Sequence, residues 1–119
     1  MKFLGTGSAL PKKIVSNEDL AQVMDTSDEW IRSRTGIGTR HIAVEETTTS
    51  MAVEAAQKAL ADAKMSGCEI DLIIAGTISP DYIFPSLACE VQAAIGANGA
   101  TAFDLSAGCS GFLFALSTA

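Results

Sequence analysis

The sequence predicts an α/β fold, and three stretches carry that prediction. Residues 70–79, "IDLIIAGTIS", form a near-continuous apolar run without polar alternation. That is the pattern of a strand covered on both faces, as in parallel sheets flanked by helices. Residues 47–65, "TTTSMAVEAAQKALADAKM", place alanine and leucine at Ala52, Ala55, Ala56, Ala59, Leu60 and Ala63 behind a hydroxyl-rich lead. That is a helix signature, and so many alanines imply close packing on another layer. The last 21 residues, "GATAFDLSAGCSGFLFALSTA", read as strand, sharp turn and helix. Alternation of this kind points to helices layered on a mostly parallel or mixed sheet.

In chain order, "FLGTG" (3–7) reads as a short strand entering a turn. The adjoining "GTGSAL" does not make a dinucleotide loop: Leu10 stands at the third small position, Pro11 follows, and no helix pattern succeeds it. "SNEDLAQVM" (16–24) opens a helix with Ser16 as N-cap, Glu18 and Asp19 in the first turn, and Leu20, Val23 and Met24 on one face. In "TSDEWIRSRTGIGTR" (26–40), Thr26 and Glu29 have capping-box spacing, Gly36 is the expected stop, and Trp30 and Arg34 share a face. Gly36 and Gly38 mark a turn, and Gly67 is the expected end of the alanine-rich helix. "FPSLACEVQAAIG" (84–96) is a further helix, with Pro85 near its start, Gly96 after its end, and Leu87, Val91 and Ile95 on its buried face.

Composition bounds the function. The chain has 119 residues, of which 48% are hydrophobic, enough for one modest domain. Its net charge of −6 divides unevenly, +1 over the first forty residues and −7 over the rest. An acidic whole argues against nucleic acid as the main partner. Three cysteines about twenty residues apart and a single histidine, His41, leave no zinc-ligand spacing, so no metal is expected. Sparse, odd cysteine usage without a signal peptide fits a reducing cytosol, hence a cytoplasmic location. No apolar run reaches the ~18 residues that a bilayer demands, so no membrane association is expected. The closing apolar run is a candidate buried helix instead.

The thiol of Cys109 lies in "SAGCSGF", at a strand-to-helix turn. Gly108 and Gly111 lack Cβ atoms, so the backbone can bend and a substrate can approach. The helix beginning there aims free N–H groups and its positive dipole end at the sulfur, which favours the thiolate and can hold an oxyanion. Such a turn resembles a nucleophile elbow with cysteine in place of serine. Cysteine is also among the most buried residue types, so the residues alone leave a catalytic and a structural Cys109 both open. Cys89, inside an apolar helix, reads as core, and Cys68 as a surface or half-buried thiol. A redox role is weak, because no two cysteines lie close in sequence.

Five stretches, "GTGSALP", "DTSDEWIRSRTGI", "RHIA", "FPSLAC" and "AFDLSAGCSGFLFALSTA", stand in the order and spacing of the β-ketoacyl-acyl-carrier-protein synthases III, which the whole chain resembles end to end. The resemblance implies a thiolase-like fold of layered αβαβα architecture built from two similar halves. Residues 1–119 would then be part of the N-terminal half, ending within the nucleophile helix, with the C-terminal half absent. It implies an acyltransferase that takes an acyl group, commonly acetyl, from acyl-coenzyme A onto Cys109. Condensation with malonyl-acyl-carrier protein and loss of CO2 would follow, starting fatty acid synthesis.

On the same resemblance the Cys109 N–H contributes to the oxyanion site. Trp30 stacks on the coenzyme A adenine, Arg34 lies beside it, and Thr26 lies near the same base. An indole face and a guanidinium suit an adenine and a phosphate. Without the motif, Trp30 reads as a core residue and Arg34 as a surface one. Phe84 resembles a residue that crosses a homodimer interface to close the partner's acyl pocket, against the plain alternative of a core phenylalanine. His41 is not at the family's catalytic histidine position and reads as structural or solvent-facing. That histidine and a catalytic asparagine belong to the second half, so this stretch alone is expected to be inactive. No cofactor is implied beyond the thioester substrates. Two other readings share the cysteine turn: a starter synthase of polyketide or other secondary metabolism, and a non-catalytic fragment pairing with a complete partner. Retention of Cys109 argues against the second.

Overall fold

The computed structural model describes residues 2–119. The chain is α/β and divides into two compact units, residues 10–46 and residues 2–9 with Thr47–Ala119.

The 10–46 unit is a two-stranded antiparallel ribbon with two helices. Strand β1 (Lys13–Ser16) pairs with β2 (Thr39–Ile42), Ile14 opposite His41 and Val15 opposite Arg40. Helix α1 (Asn17–Ala21) starts at a capping box: the Ser16 side chain accepts from Asp19 N, and the Asp19 carboxylate accepts from Ser16 N. The helix is only five residues long, so Val23 and Met24 fall in the turn beyond it and are exposed, contrary to the one-face expectation. So short a helix gains little from propagation, and the polar Asp25–Ser27 stretch favours a new cap. Helix α2 (Asp28–Thr35) is capped by Ser27, whose hydroxyl accepts from Trp30 N at 3.1 Å. The expected Thr26–Glu29 capping box is not formed, because the cap lies one residue later. Gly36 ends α2 in the left-handed region, φ 74°, as expected. The ribbon strands were not legible from periodicity, being four residues each.

In the larger unit, helix α3 (Thr48–Ala63) is capped by Thr47 and Ser50 in a reciprocal box. It ends at Lys64, left-handed at φ 55°, rather than at Gly67. Gly67 is needed elsewhere: a Cβ there would lie 1.9 Å from the Ile95 carbonyl oxygen. Strand β3 (Leu72–Gly76) pairs in parallel with β4 (Thr101–Leu105), and helix α4 (Leu87–Ile95) is the crossover between them. The run 70–79 therefore yields a five-residue strand, half-buried over Leu72–Ala75 rather than covered on both faces. Gly96 ends α4 as expected, and Leu87, Ala88 and Val91 are buried. Helix α5 (Gly111–Thr118) closes the chain.

Residues 3–7 are not a strand: the segment has no ladder partner among the described residues. It lies instead against α3. A Cβ on Gly7 would sit 2.0 Å from the Ala55 carbonyl oxygen, and one on Gly5 2.5 Å from that of Ala59. These glycines and the α3 alanines serve one close backbone approach, which explains "GTG" without a phosphate. Thr6 N donates to Asp62 and Lys58 Nζ to the Ser8 carbonyl, fixing the segment.

Candidate active site

Cys109 sits in a 3-10 turn, Gly108–Ser110, between β4 and α5, and is exposed. The turn is built by its glycines. Gly108 is left-handed, φ 51°, which a side chain resists. Gly111 is buried against Gly76 at the end of β3, backbone to backbone: a Cβ on Gly76 would meet Gly111 C at 3.2 Å. Ser110 N donates to Ala107 O and Gly111 N to Gly108 O. Among the described residues no side chain caps the turn or the first turn of α5, so its amides are not consumed by a side-chain acceptor there. An accessible sulfur beside uncapped helix amides is an arrangement able to attack a carbonyl and hold the oxygen that becomes negative.

The strand that delivers this turn is anchored by Asp104. Its carboxylate accepts from Leu87 N at 2.9 Å and Ala88 N at 2.8 Å, while Ser86 Oγ accepts from Cys89 N. The first three amides of α4 are thereby satisfied by side chains, two of them from the strand leading to Cys109. Sequence reading missed Asp104, since nothing local marks a strand aspartate as a cap for a helix 17 residues upstream.

Before α4, Phe84 and Ile83 are almost wholly exposed, 89% and 99%, so Phe84 is no core residue of this chain. Their loop is tied down by Asp81, which accepts from Thr48 N and Thr49 N. The Thr49 amide, then the Thr49 side chain and the other groups at the start of α3, hold the Asp81 carboxyl at about 2.

Trp30, Arg34 and Thr26 belong to the 10–46 unit. Trp30 is 57% exposed on α2, which excludes the core reading. It lines a cavity of about 380 Å³ with Asp25, Thr26 and Ser27. The structure thus brings Thr26 and Trp30 together; Arg34, exposed on the last turn of α2, does not line that cavity. Ser27 and Asp25 are lining residues that sequence reading passed over. Arg34 forms no ion pair among the described residues, whereas Arg32 grips Asp28 through Nε at 2.7 and 2.8 Å. His41 is exposed on β2, its Nδ1 at the Pro11 carbonyl, a structural contact. A further cavity, about 490 Å³, is an apolar groove lined by residues such as Phe3, Leu60 and Ile95, and contains none of the candidate residues. Cys89 is half-buried, and Cys68 is exposed beside Ser66 Oγ.

The chain is 56% identical over 119 residues to a β-ketoacyl-[acyl-carrier-protein] synthase III of Xylella fastidiosa, matching 99% of this chain and 37% of that protein. Among solved structures, the 3-oxoacyl-[acyl-carrier-protein] synthase III of Aquifex aeolicus superposes with a TM-score of 0.95 at 55% identity, over 98% of this chain and 38% of that one. By sequence and by fold the chain is similar to the β-ketoacyl-[acyl-carrier-protein] synthases III. It spans about 37% of the length of the curated relatives it matches, their N-terminal part. The fold is accordingly thiolase-like. A priming β-ketosynthase of a polyketide pathway also superposes, with a TM-score of 0.94 at 41% identity, over 99% of this chain and 36% of that one. No protein-family model matches the chain.

Proposed function

We propose that the polypeptide carrying this sequence is an initiating condensing enzyme in which Cys109 is the acyl carrier. The observation that carries the reading is the exposed Cys109 in a glycine-built turn at uncapped helix amides. The Cys109 thiolate attacks the thioester carbonyl of an acyl-coenzyme A, most simply acetyl, and backbone N–H groups of the turn hold the oxyanion. The carbon–sulfur bond to coenzyme A breaks, and the departing thiolate takes a proton. Malonyl-acyl-carrier protein then loses CO2, and the resulting carbanion attacks the acyl-enzyme. The new carbon–carbon bond forms as the Cys109 thiolate leaves. Orientation of Cys109 and decarboxylation fall to the histidine and asparagine that the family resemblance places beyond this stretch.

Trp30 and Thr26 form the adenine subsite, and Arg34 supplies a charge for a phosphate. Phe84, exposed with Ile83, fits a role against a second copy in a homodimer, closing its acyl pocket. A cytoplasmic location follows from the same reading; no helix among the described residues is long and apolar enough to cross a membrane. Mass spectrometry tests the proposal. After incubation with acetyl-coenzyme A, the complete synthase gains one acetyl group on the peptide containing Cys109, and Cys109→Ala abolishes it. Acetylation elsewhere, or none, refutes it.

The likeness to the polyketide priming enzyme favours one alternative, a secondary-metabolite starter synthase. A panel of acetyl, branched and longer acyl-coenzyme A starters, with each acceptor, separates the two. Iodoacetamide labelling of Cys109 against pH tests the non-catalytic alternative, which predicts an ordinary thiol.

A further inference from the structure

Asn17 is the one fully buried polar side chain among the described residues, at 0% exposure, in a unit whose apolar interior is otherwise little more than Ile31. Its amide is used on both sides. Nδ2 donates to Asp28 Oδ1 at 2.7 Å and to the Ile37 carbonyl at 2.8 Å, and Oδ1 accepts from Arg40 Nη2 at 2.8 Å. Its backbone N–H donates to Gly38 O. One side chain therefore joins the first turn of α2, the turn that follows α2, and strand β2. Arg40 Nη1 is buried without a partner among the described residues, so this guanidinium depends heavily on Asn17. Asp28 is held in turn by Arg32. The bonds to Asp28 and Ile37 bracket α2, the helix that carries Trp30 and forms the cavity with Thr26.

We infer that Asn17 is a positioning residue for coenzyme A, setting α2 so that the Trp30 face and Thr26 meet the adenine. The inference rests on the adenine reading of Trp30 given above. Asn17 touches no ligand in it; it acts through Asp28 and Ile37 on the helix between them. The reason for an amide here is specific. Two acceptors, the Asp28 carboxylate and the Ile37 carbonyl, converge with one cationic donor, and only a side chain with donors on one atom and an acceptor on the other satisfies all three. An aspartate would keep Arg40 but set its carboxylate against both acceptors.

The test uses the complete synthase; Trp30 is the single tryptophan of these 119 residues, and its emission is taken as the difference from Trp30→Ala. Coenzyme A is titrated by calorimetry, and Trp30 quenching is read at saturation. Trp30→Ala should abolish binding. Asn17→Asp should weaken Kd about tenfold and lower the saturating quench, because a carboxylate facing two acceptors displaces the first turn of α2. Ile31→Val, which loosens the same unit through its core, should cost stability but leave both the Kd and the quench of the folded synthase unchanged. If Asn17→Asp does not fold, Arg40→Lys keeps both Asn17 donors while removing the bond at Oδ1, and should weaken Kd about threefold. If Trp30→Ala weakens binding but a folded Asn17→Asp, or failing it Arg40→Lys, leaves Kd and quench at wild-type values, the positioning role is overturned and the adenine reading stands. The role is equally overturned if Ile31→Val reproduces the Asn17→Asp changes. If the wild-type synthase binds no coenzyme A, or Trp30→Ala binds it as well, the adenine reading falls and takes the role with it.

Discussion

Replacing Asp104 by alanine should unfold this chain more easily than any other single cap removal in it. The carboxylate accepts two part-buried amides, Leu87 N and Ala88 N, at 2.9 and 2.8 Å. A hydrogen bond to a charged group is worth about 1.5–3 kcal/mol, and a buried donor left unmatched loses its solvation as well. Taking the low end for each bond, since the site is only part-buried, Asp104→Ala costs about 3 kcal/mol. Asp104→Asn keeps one acceptor and turns an NH2 toward the other amide, so it should fall between, at about 2 kcal/mol. Ser86→Ala, which removes the remaining cap from the same helix, costs about 1 kcal/mol. Urea unfolding followed by far-UV circular dichroism, with the slope unchanged between variants, gives all three values. An Asp104→Ala chain no less stable than Ser86→Ala would show that the strand does not hold α4 by its amides. Anchoring of the Cys109 turn through Asp104 would fail with it.

Other outcomes follow from local geometry. Gly7→Ala should free residues 2–8 from α3, seen as early amide exchange at Thr6, because its Cβ meets the Ala55 carbonyl oxygen at 2.0 Å; Gly99→Ala, with open space around it, should change nothing. Gly108→Ala should cost about 1 kcal/mol from its left-handed backbone, whereas Lys64→Gly, relieving the same conformation at φ 55°, should stabilise by a similar amount in urea titrations. Glu46, held at about 2 first by the Lys12 amide and then by the amides of Glu46, Val44 and Glu45, should contribute stability above its ordinary 4.5 and lose it as pH falls toward 2. Protection of the Lys12 and Val44 amides, measured against the intrinsic exchange rate at each pH, should fall over that window, and Glu46→Gln should flatten the dependence.

Local signals recovered local structure. Ser16 and Gly36 are where cap chemistry puts them, and the apolar spacing of α4 picks out Leu87 and Val91. The turn that carries Cys109 was legible because glycines around a residue between strand and helix are a short-range pattern; the role of the thiol was not, and the residues alone left it open. What failed was decided at a distance. The "FLGTG" stretch looks like a strand, but a strand exists only with a partner, and this one packs its glycines on α3. "KIVS" and "TRHI" carry too few residues to show a period, and their pairing spans 23 residues or more. Asn17 sits where any polar residue suits a first turn, and its three side-chain partners lie 11, 20 and 23 positions away. Thr26 looked like the cap because two hydroxyls stand side by side; with Ser27 in that place, Thr26 is left to line the cavity.

The exposed side chains of Ile83, Phe84, Phe112 and Leu113 also govern how this chain behaves as a colloid. At neutral pH, six units of net negative charge oppose self-association of these greasy tips. Acidification removes that repulsion at the isoelectric point near 4.5, where the stability held by the Glu46 and Asp81 carboxyls only starts to fall; it is lost progressively toward 2. Clouding should therefore come at the head of the acid loosening and not at its end, and the turbidity should clear again as the molecule turns cationic below it.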